Sequence, residues 1–84
     1  MAEKRDIVVI GLGTFGAAVA REMTRMGDRV TGIDRDAACV AALEGEIDAV
    51  MQADATDLKV LHHAGISNFD NVIIAIGDDM QASL

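Results

Sequence analysis

The chain has 84 residues, 51% of them apolar, and a formal net charge of −7. This charge, with no tryptophan or tyrosine to stack on bases, argues against a general nucleic-acid-binding protein, which needs many basic residues. The sequence has no apolar stretch near the roughly 20 residues that span a bilayer and no apolar signal segment at its start, so we expect one small soluble domain over residues 1–84.

The first quarter of the chain predicts a strand followed by a helix. Residues 7–10 are continuously apolar and β-branched, which is typical of a parallel strand covered on both faces. A helix is predicted over residues 14–26, and Gly27 ends it. Its apolar stripe, at helical spacing, is expected to consist of Phe15, Val19, Met23 and Met26.

The middle of the chain repeats this pattern with shorter elements. Residues 29–33 predict a second strand. Asp36 is expected to cap a short helix that ends by Gly45, with its apolar side chains, Val40 and Leu43, turned inward. Residues 48–52 predict a weaker third strand.

The last part predicts a helix from Thr56 to Gly65, a fourth strand over residues 71–76, and the start of another helix near Asp79. The order β-α-β-α-β-α-β predicts an α/β, Rossmann-like fold with a parallel sheet between helical layers. Because the sequence stops just inside a predicted helix, we expect it to be the N-terminal fragment of a larger domain.

The glycine pattern GLGTFG lies between the first predicted strand and helix. Gly11 allows the tight turn, Gly13 lets the backbone approach a pyrophosphate, and Gly16 allows close packing of the helix on the strand. Phosphates are then expected over the free N–H groups of Thr14 and Phe15, where the helix dipole favours anions. A bare strand–helix turn is the alternative.

Asp34 follows the second predicted strand, 18 residues after Gly16. A carboxylate at this point accepts the ribose hydroxyls of an adenosine and repels the 2′-phosphate of NADP. The alternative is a solvated turn aspartate. Arg35 either stacks on adenine or pairs with a phosphate, or is a free surface arginine.

The ends of the third and fourth predicted strands offer further candidates, because ligands bind at the carboxyl ends of parallel strands. Asp54 and Ala55 are expected to border the adenine, although Asp54 is equally compatible with no ligand role. Ala75 and Gly77 are small enough for a nucleotide to lie across the strand end. We interpret Thr56 and Asp57 as helix-capping groups. Asp78 and Asp79 are either a carboxylate pair for a divalent cation or the acidic first turn of a helix, and we favour the helix start.

Metal and thiol chemistry are not expected. His62 and His63 are adjacent in a predicted helix, so they point about 100° apart and cannot chelate one ion together. Cys39, the single cysteine, is interpreted as a small, partly buried side chain, and without a disulfide partner it suits a reducing cytosol.

The chain resembles the RCK/KTN (TrkA-N) domains of TrkA/KtrA-type regulatory subunits of potassium uptake systems and potassium channels. The resemblance covers nearly the whole chain. It is carried by IVVIGLGTFG over residues 7–16, by MGDRV over 26–30, and by ID and ADAT around Asp34 and Asp54. The most distinctive tracts are LHHAGISNFDNVIIAIG over 61–77 and MQAS over 80–83.

This resemblance implies a non-enzymatic, cytoplasmic subunit that forms a homodimer, assembles into a larger ring and lies against the inner face of the membrane through a potassium transporter or channel. Its implied ligands are NAD(H), ADP or ATP. The glycines would face the phosphates, Asp34 the ribose, and Asp54 and Ala55 the adenine. Several relatives have arginine where this chain has Thr14, so strong preference for ATP over ADP is not expected here.

Two other functions remain open from the sequence. The first is the cofactor-binding half of an NAD-dependent oxidoreductase, although no acid–base pair accompanies the expected nicotinamide end. The second is an assembly domain that retains the glycine turn without a ligand.

Overall fold

The structure, a computed structural model, describes residues 4–54, 59, 62, 65 and 68–75. Its strands are β1 (Asp6–Ile10), β2 (Arg29–Asp34), β3 (Ala49–Gln52) and β4 (Asn71–Ile74), and its helices are α1 (Thr14–Arg25) and α2 (Ala37–Leu43). The strands form one parallel sheet in the order β3-β2-β1-β4. The predicted α/β, Rossmann-like fold is therefore confirmed.

The central strand β1 is buried on both faces, as its unbroken apolar run predicted. Ile7 and Val9 join a core cluster to which α1 and α2 contribute, with Ala20 and Leu43 fully buried. Val8 and Ile10 face the other side of the sheet and form a second cluster with Ile33. Residues of one strand thus alternate between two cores, as strand geometry requires.

The apolar stripe predicted for α1 is only partly correct. Val19 and Met23 pack against the core, but Phe15 is 51% exposed and Met26 is 62% exposed. Phe15 lies in the first turn of α1, and Met26 is its C-cap. Helical spacing indicates which face of a helix is apolar but not which turns of that face are covered.

The end of α1 is fixed by backbone hydrogen bonds around Gly27. Gly27 has φ +98° and donates to Thr24 O at 3.0 Å, and Asp28 N donates to Met23 O at 3.1 Å. These two bonds form the Schellman arrangement that satisfies the last carbonyls of a helix. The predicted stop at Gly27 is confirmed: α1 ends at Arg25, Met26 is its C-cap, and Gly27 follows.

Ionic contacts fix the amino end of the sheet. Arg5 donates two hydrogen bonds to the carboxylate of Asp28, each at 3.2 Å, and Asp28 is buried. The hydrogen bonds and the attraction between the two charges raise the pKa of the Arg5 guanidinium above its ordinary value. At the same end, Asp48 accepts a hydrogen bond from Val30 N at 2.8 Å.

The remaining predicted elements agree with the described residues to within one or two positions. Asp36 caps α2 by accepting from Ala38 N at 2.9 Å, and Cys39 is half-buried, as expected. Most of the helix predicted from Thr56 to Gly65, and the helix start near Asp79, fall outside the described residues. In the part of the chain that is described, no helix is both long and apolar enough to cross a membrane.

Burial predicts which apolar side chains stabilise the sheet. Ile33→Ala should lower the free energy of unfolding by about 2–5 kcal/mol, because it leaves a cavity in a fully buried position. Met26→Ala is the exposed control, with an expected change within about 0.5 kcal/mol. Urea unfolding measures both, and equal losses for the two variants would contradict the packing described.

Candidate functional site

The carboxyl ends of all four strands lie along one edge of the sheet, because the strands are parallel. From β1 the chain proceeds outward to β2 and β3, and β4 then pairs with the opposite side of β1. The direction of progression therefore reverses at β1. In open parallel sheets, this reversal opens a crevice at the strand ends, and ligands bind there.

The glycine loop after β1 is held to both neighbouring strands. Gly11 has φ +97°, in the left-handed region that favours glycine, and its N–H donates to Ile33 O at 2.8 Å. On the other side, Ala75 N donates to Ile10 O at 2.7 Å. The structure thus brings Gly11 and Ala75 together at the reversal point.

Gly16 permits α1 to pack directly on the loop. A Cβ at this position would lie 1.7 Å from the Gly11 carbonyl oxygen and 3.3 Å from Ala75 Cβ. The first of these distances is far below any van der Waals contact, and the atom that would have to move belongs to the backbone. The packing role predicted for Gly16 therefore has a geometric basis.

The first turn of α1 has free backbone donors. The helix begins at Thr14 after Gly13, which supplies no side-chain cap, and its first internal bond runs from Ala17 N to Gly13 O at 2.8 Å. The preceding amides, including those of Thr14 and Phe15, have no carbonyl within the helix to bond. A phosphate can accept from such amides without any basic side chain.

Asp34 is the last residue of β2, and its half-buried carboxylate binds the glycine loop. One oxygen accepts from Leu12 N at 2.7 Å, and the other accepts from Asp36 N at 2.8 Å. An ionised carboxylate has about four lone-pair sites, so two remain for further donors. Asp34 is consequently not a free turn aspartate, yet it can still accept ribose hydroxyls.

Leu12, between the first two glycines, was not singled out from the sequence. Its side chain is 3% exposed and belongs to the core cluster beneath α1. A Cβ on Gly32 would lie 2.9 Å from Leu12 Cδ2 and 3.0 Å from Ile47 Cδ1. An apolar residue between loop glycines, with a glycine inside the neighbouring strand, is the signal that could have revealed this contact.

Of the residues expected on the adenine side, the structure describes Arg35 and Asp54, and both are exposed. Arg35 follows Asp34, and its carbonyl accepts a hydrogen bond from Gln52 Nε2 at 3.3 Å, which joins this turn to the end of β3. Gln52 is a second site-proximal residue that the sequence did not single out. Ala53 N donates to Asp34 O at 3.0 Å, so the exposed Asp54 follows β3 beside the Asp34 strand end.

Some expected residues fall outside the described part of the chain. These residues are Ala55, Thr56, Asp57, Gly77, Asp78 and Asp79. Within the described ranges, no group of three or more histidine, cysteine, aspartate or glutamate residues is arranged to hold a metal ion.

Comparison with known proteins identifies the family of this sequence. The sequence matches the TrkA-N domain family over residues 7–84. It is 37% identical to the Ktr system potassium uptake protein C of Bacillus subtilis (strain 168) over 81 residues, and 38% identical to the Ktr system potassium uptake protein A of the same organism, also over 81 residues. It is 32% identical over 80 residues to the Ktr system potassium uptake protein A of Vibrio alginolyticus.

These alignments cover 95–96% of this chain but only 36–37% of each relative. The chain therefore spans little more than a third of the length of the relatives that it matches. The resemblance to TrkA-N domains that was inferred from the sequence is confirmed.

Two glycines provide a matched test of the loop geometry. Gly16→Ala should lower the free energy of unfolding by about 3 kcal/mol or more, because its Cβ collides with backbone. Gly27→Ala should lower the free energy of unfolding by only about 1–2 kcal/mol, because its added Cβ would meet no neighbouring atom within 4 Å. Only the left-handed φ of this position would be strained. Denaturant unfolding measures both, and a Gly16→Ala loss no larger than that of Gly27→Ala would rule out the close packing.

Proposed function

The chain belongs to the TrkA-N domain family, and on that premise we propose that it is the nucleotide-binding part of a regulatory subunit that controls potassium ion transport through a membrane partner. The observation that carries the proposal is the hydrogen bond from Leu12 N to the Asp34 carboxylate. It joins the predicted ribose acceptor to the predicted phosphate loop within one hydrogen-bonded unit.

The phosphate subsite in this proposal is made of backbone. The amides of Thr14 and Phe15 open α1, and the helix dipole adds partial positive charge at the same place. Gly13 leaves room for a pyrophosphate to approach. The net charge of −7 does not oppose such a ligand, because the donors are amides and the field of distant surface charges is screened by salt.

The ribose subsite is the remaining accepting capacity of Asp34. Two lone-pair sites are left after Leu12 and Asp36 donate, which matches the two hydroxyls of an adenosine ribose. Its charge would repel a 2′-phosphate, so the proposal favours NAD over NADP. Arg35, Asp54 and Ala55 would border the adenine.

The identity of the nucleotide is proposed more broadly, as NAD(H) or an adenine nucleotide, ADP or ATP. Thr14 offers a hydroxyl and no charge beside the terminal phosphate, so it gives no strong preference for ATP over ADP. Ala75, which follows β4, and Gly77, two residues further along the sequence, are small enough in this proposal for the rest of a dinucleotide to pass.

We propose that the site senses its ligand and is not enzymatic. Its contacts are backbone amides and a carboxylate that already holds two N–H donors, and these are groups suited to holding and orienting a ligand. A ligand that binds one conformation of an assembly more tightly shifts the population toward that conformation. This difference in affinity is the proposed source of regulation.

The potassium role comes from the relatives, whose names describe Ktr system potassium uptake proteins. By extension, the protein containing this chain would act in the cytoplasm as a homodimer that assembles into a larger ring. It would lie against the inner face of the membrane through a potassium transporter or channel.

Binding without turnover is the first expected result. Isothermal titration should detect NAD, NADH, ADP or ATP binding to the full-length protein, with no hydride transfer to added substrates. Potassium flux through the membrane partner should then change with the nucleotide supplied. Sustained hydride transfer would instead support an oxidoreductase. Potassium flux that stays the same with every bound nucleotide would contradict the regulatory role.

Asp34→Ala tests the ribose assignment. Loss of hydrogen bonds to a charged acceptor should weaken NAD and ADP binding by about tenfold or more, without a selective loss for NADP. Asp48→Ala is the matched control, because Asp48 also accepts a backbone N–H but lies at the opposite end of the strands. Titration of both variants measures the effect. Unchanged affinity of Asp34→Ala for every nucleotide would rule out Asp34 as the ribose acceptor.

A further inference from the structure

We propose that Leu12 is a positioning residue that couples recognition of the ribose to recognition of the phosphates. The inference rests on the proposed function, and it assigns to Leu12 a role that neither the glycine pattern nor Asp34 requires by itself. Leu12 contacts no ligand in this proposal. It acts through its backbone N–H and through the packing of its side chain.

The side chain fixes Leu12 in the core. It is 3% exposed, and its two methyl groups lie over Gly32, which is inside β2. Ile47, in the connection between α2 and β3, packs on the same glycine. The absence of a Cβ at Gly32 is what makes this space available, since a methyl group there would lie only 2.9–3.0 Å from both neighbours.

The backbone of Leu12 joins the two subsites. Its N–H donates to the Asp34 carboxylate at 2.7 Å, on the ribose side. The next residue, Gly13, is the N-cap of α1, whose first amides form the phosphate side. A displacement of Leu12 therefore moves the donor that orients Asp34 and the start of the helix together.

The two glycines on either side of Leu12 explain why its side chain is important for holding the loop. Gly11 and Gly13 have no side chains to pack, and glycine has the largest conformational freedom of any residue. Leu12 is thus the one side chain within residues 11–13 that can hold the loop. A loop fixed before the ligand arrives loses less entropy on binding, which increases affinity without any new contact.

The test measures ADP affinity by isothermal titration on the full chain. Leu12→Ala should weaken ADP binding about tenfold, because loss of the anchor loosens the loop. Leu12→Met, which keeps most of the volume, should restore affinity to within about twofold of the parent. Leu43→Ala is the matched control, since Leu43 is fully buried in the same core cluster but belongs to α2.

Gly32→Ala perturbs the packing of Leu12 but leaves Leu12 itself, and every residue proposed to bind ligand, unsubstituted. The φ of Gly32 is outside the left-handed region, so alanine suits the backbone, and its methyl group displaces the ends of Leu12 and Ile47. It should weaken ADP binding at least about threefold. If Leu12→Ala fails to fold, this variant decides the question.

Coupling to the ribose is tested by combining Gly32→Ala with Asp34→Asn. If Leu12 acts through Asp34, the combined loss of affinity should be smaller than the product of the two separate losses by about threefold or more. A combined loss equal to the product would overturn the coupling.

The remaining outcomes separate the two proposals. A parent chain that binds no nucleotide overturns the proposed function and this inference with it. If the parent chain binds ADP, two results would overturn only the role of Leu12. One is a loss of ADP affinity in Leu43→Ala as large as that in Leu12→Ala, and the other is parent ADP affinity in Gly32→Ala. A tenfold loss in Leu12→Ala, rescue in Leu12→Met and parent affinity in Leu43→Ala support it.

Discussion

The packing of α1 on the carbonyl of Gly11 is the constraint on which the rest of the site depends. Because Gly16 has no side chain, the helix starts directly over the carboxyl end of the central strand. This position directs the first-turn amides toward the strand edge and places the rest of α1 over one face of the sheet. A helix held further away would neither cover that core nor present its amides at the point where the strand order reverses.

Asp34 makes the fold and the candidate site depend on the same atoms. Its carboxylate accepts from the loop on one side and from the start of the β2–α2 turn on the other, and Asp36 in turn caps α2. The loop, the turn and the short helix are therefore connected by consecutive hydrogen bonds. A ligand that also donates to Asp34 would stabilise a connection that exists without it, which is how preorganised sites gain affinity.

The sequence predicted the order of elements well, because the signals were local. An apolar β-branched run, glycine stops and an aspartate cap each act within a few residues, and the structure has β1, Gly27 and Asp36 in those roles. The burial of Leu12 over Gly32 was missed because it joins residues that are distant along the chain. The exposure of Phe15 was missed because helical spacing indicates a helix face but not which turns of that face are covered. Ligand identity is harder still to predict, since backbone amides can donate hydrogen bonds to the oxygens of any diphosphate.

If Asp34 also accepts the ribose, as proposed, its two roles limit how a protein with this loop can change its ligand over evolutionary time. Acceptance of a 2′-phosphate would require removal of the negative charge at this position. The same change would leave the Leu12 and Asp36 amides without their acceptor. A lineage would first need another acceptor for these amides, so a single substitution is a poor route to a new cofactor preference. Selection for a stable loop would thereby preserve the carboxylate at this position, whatever role the nucleotide has.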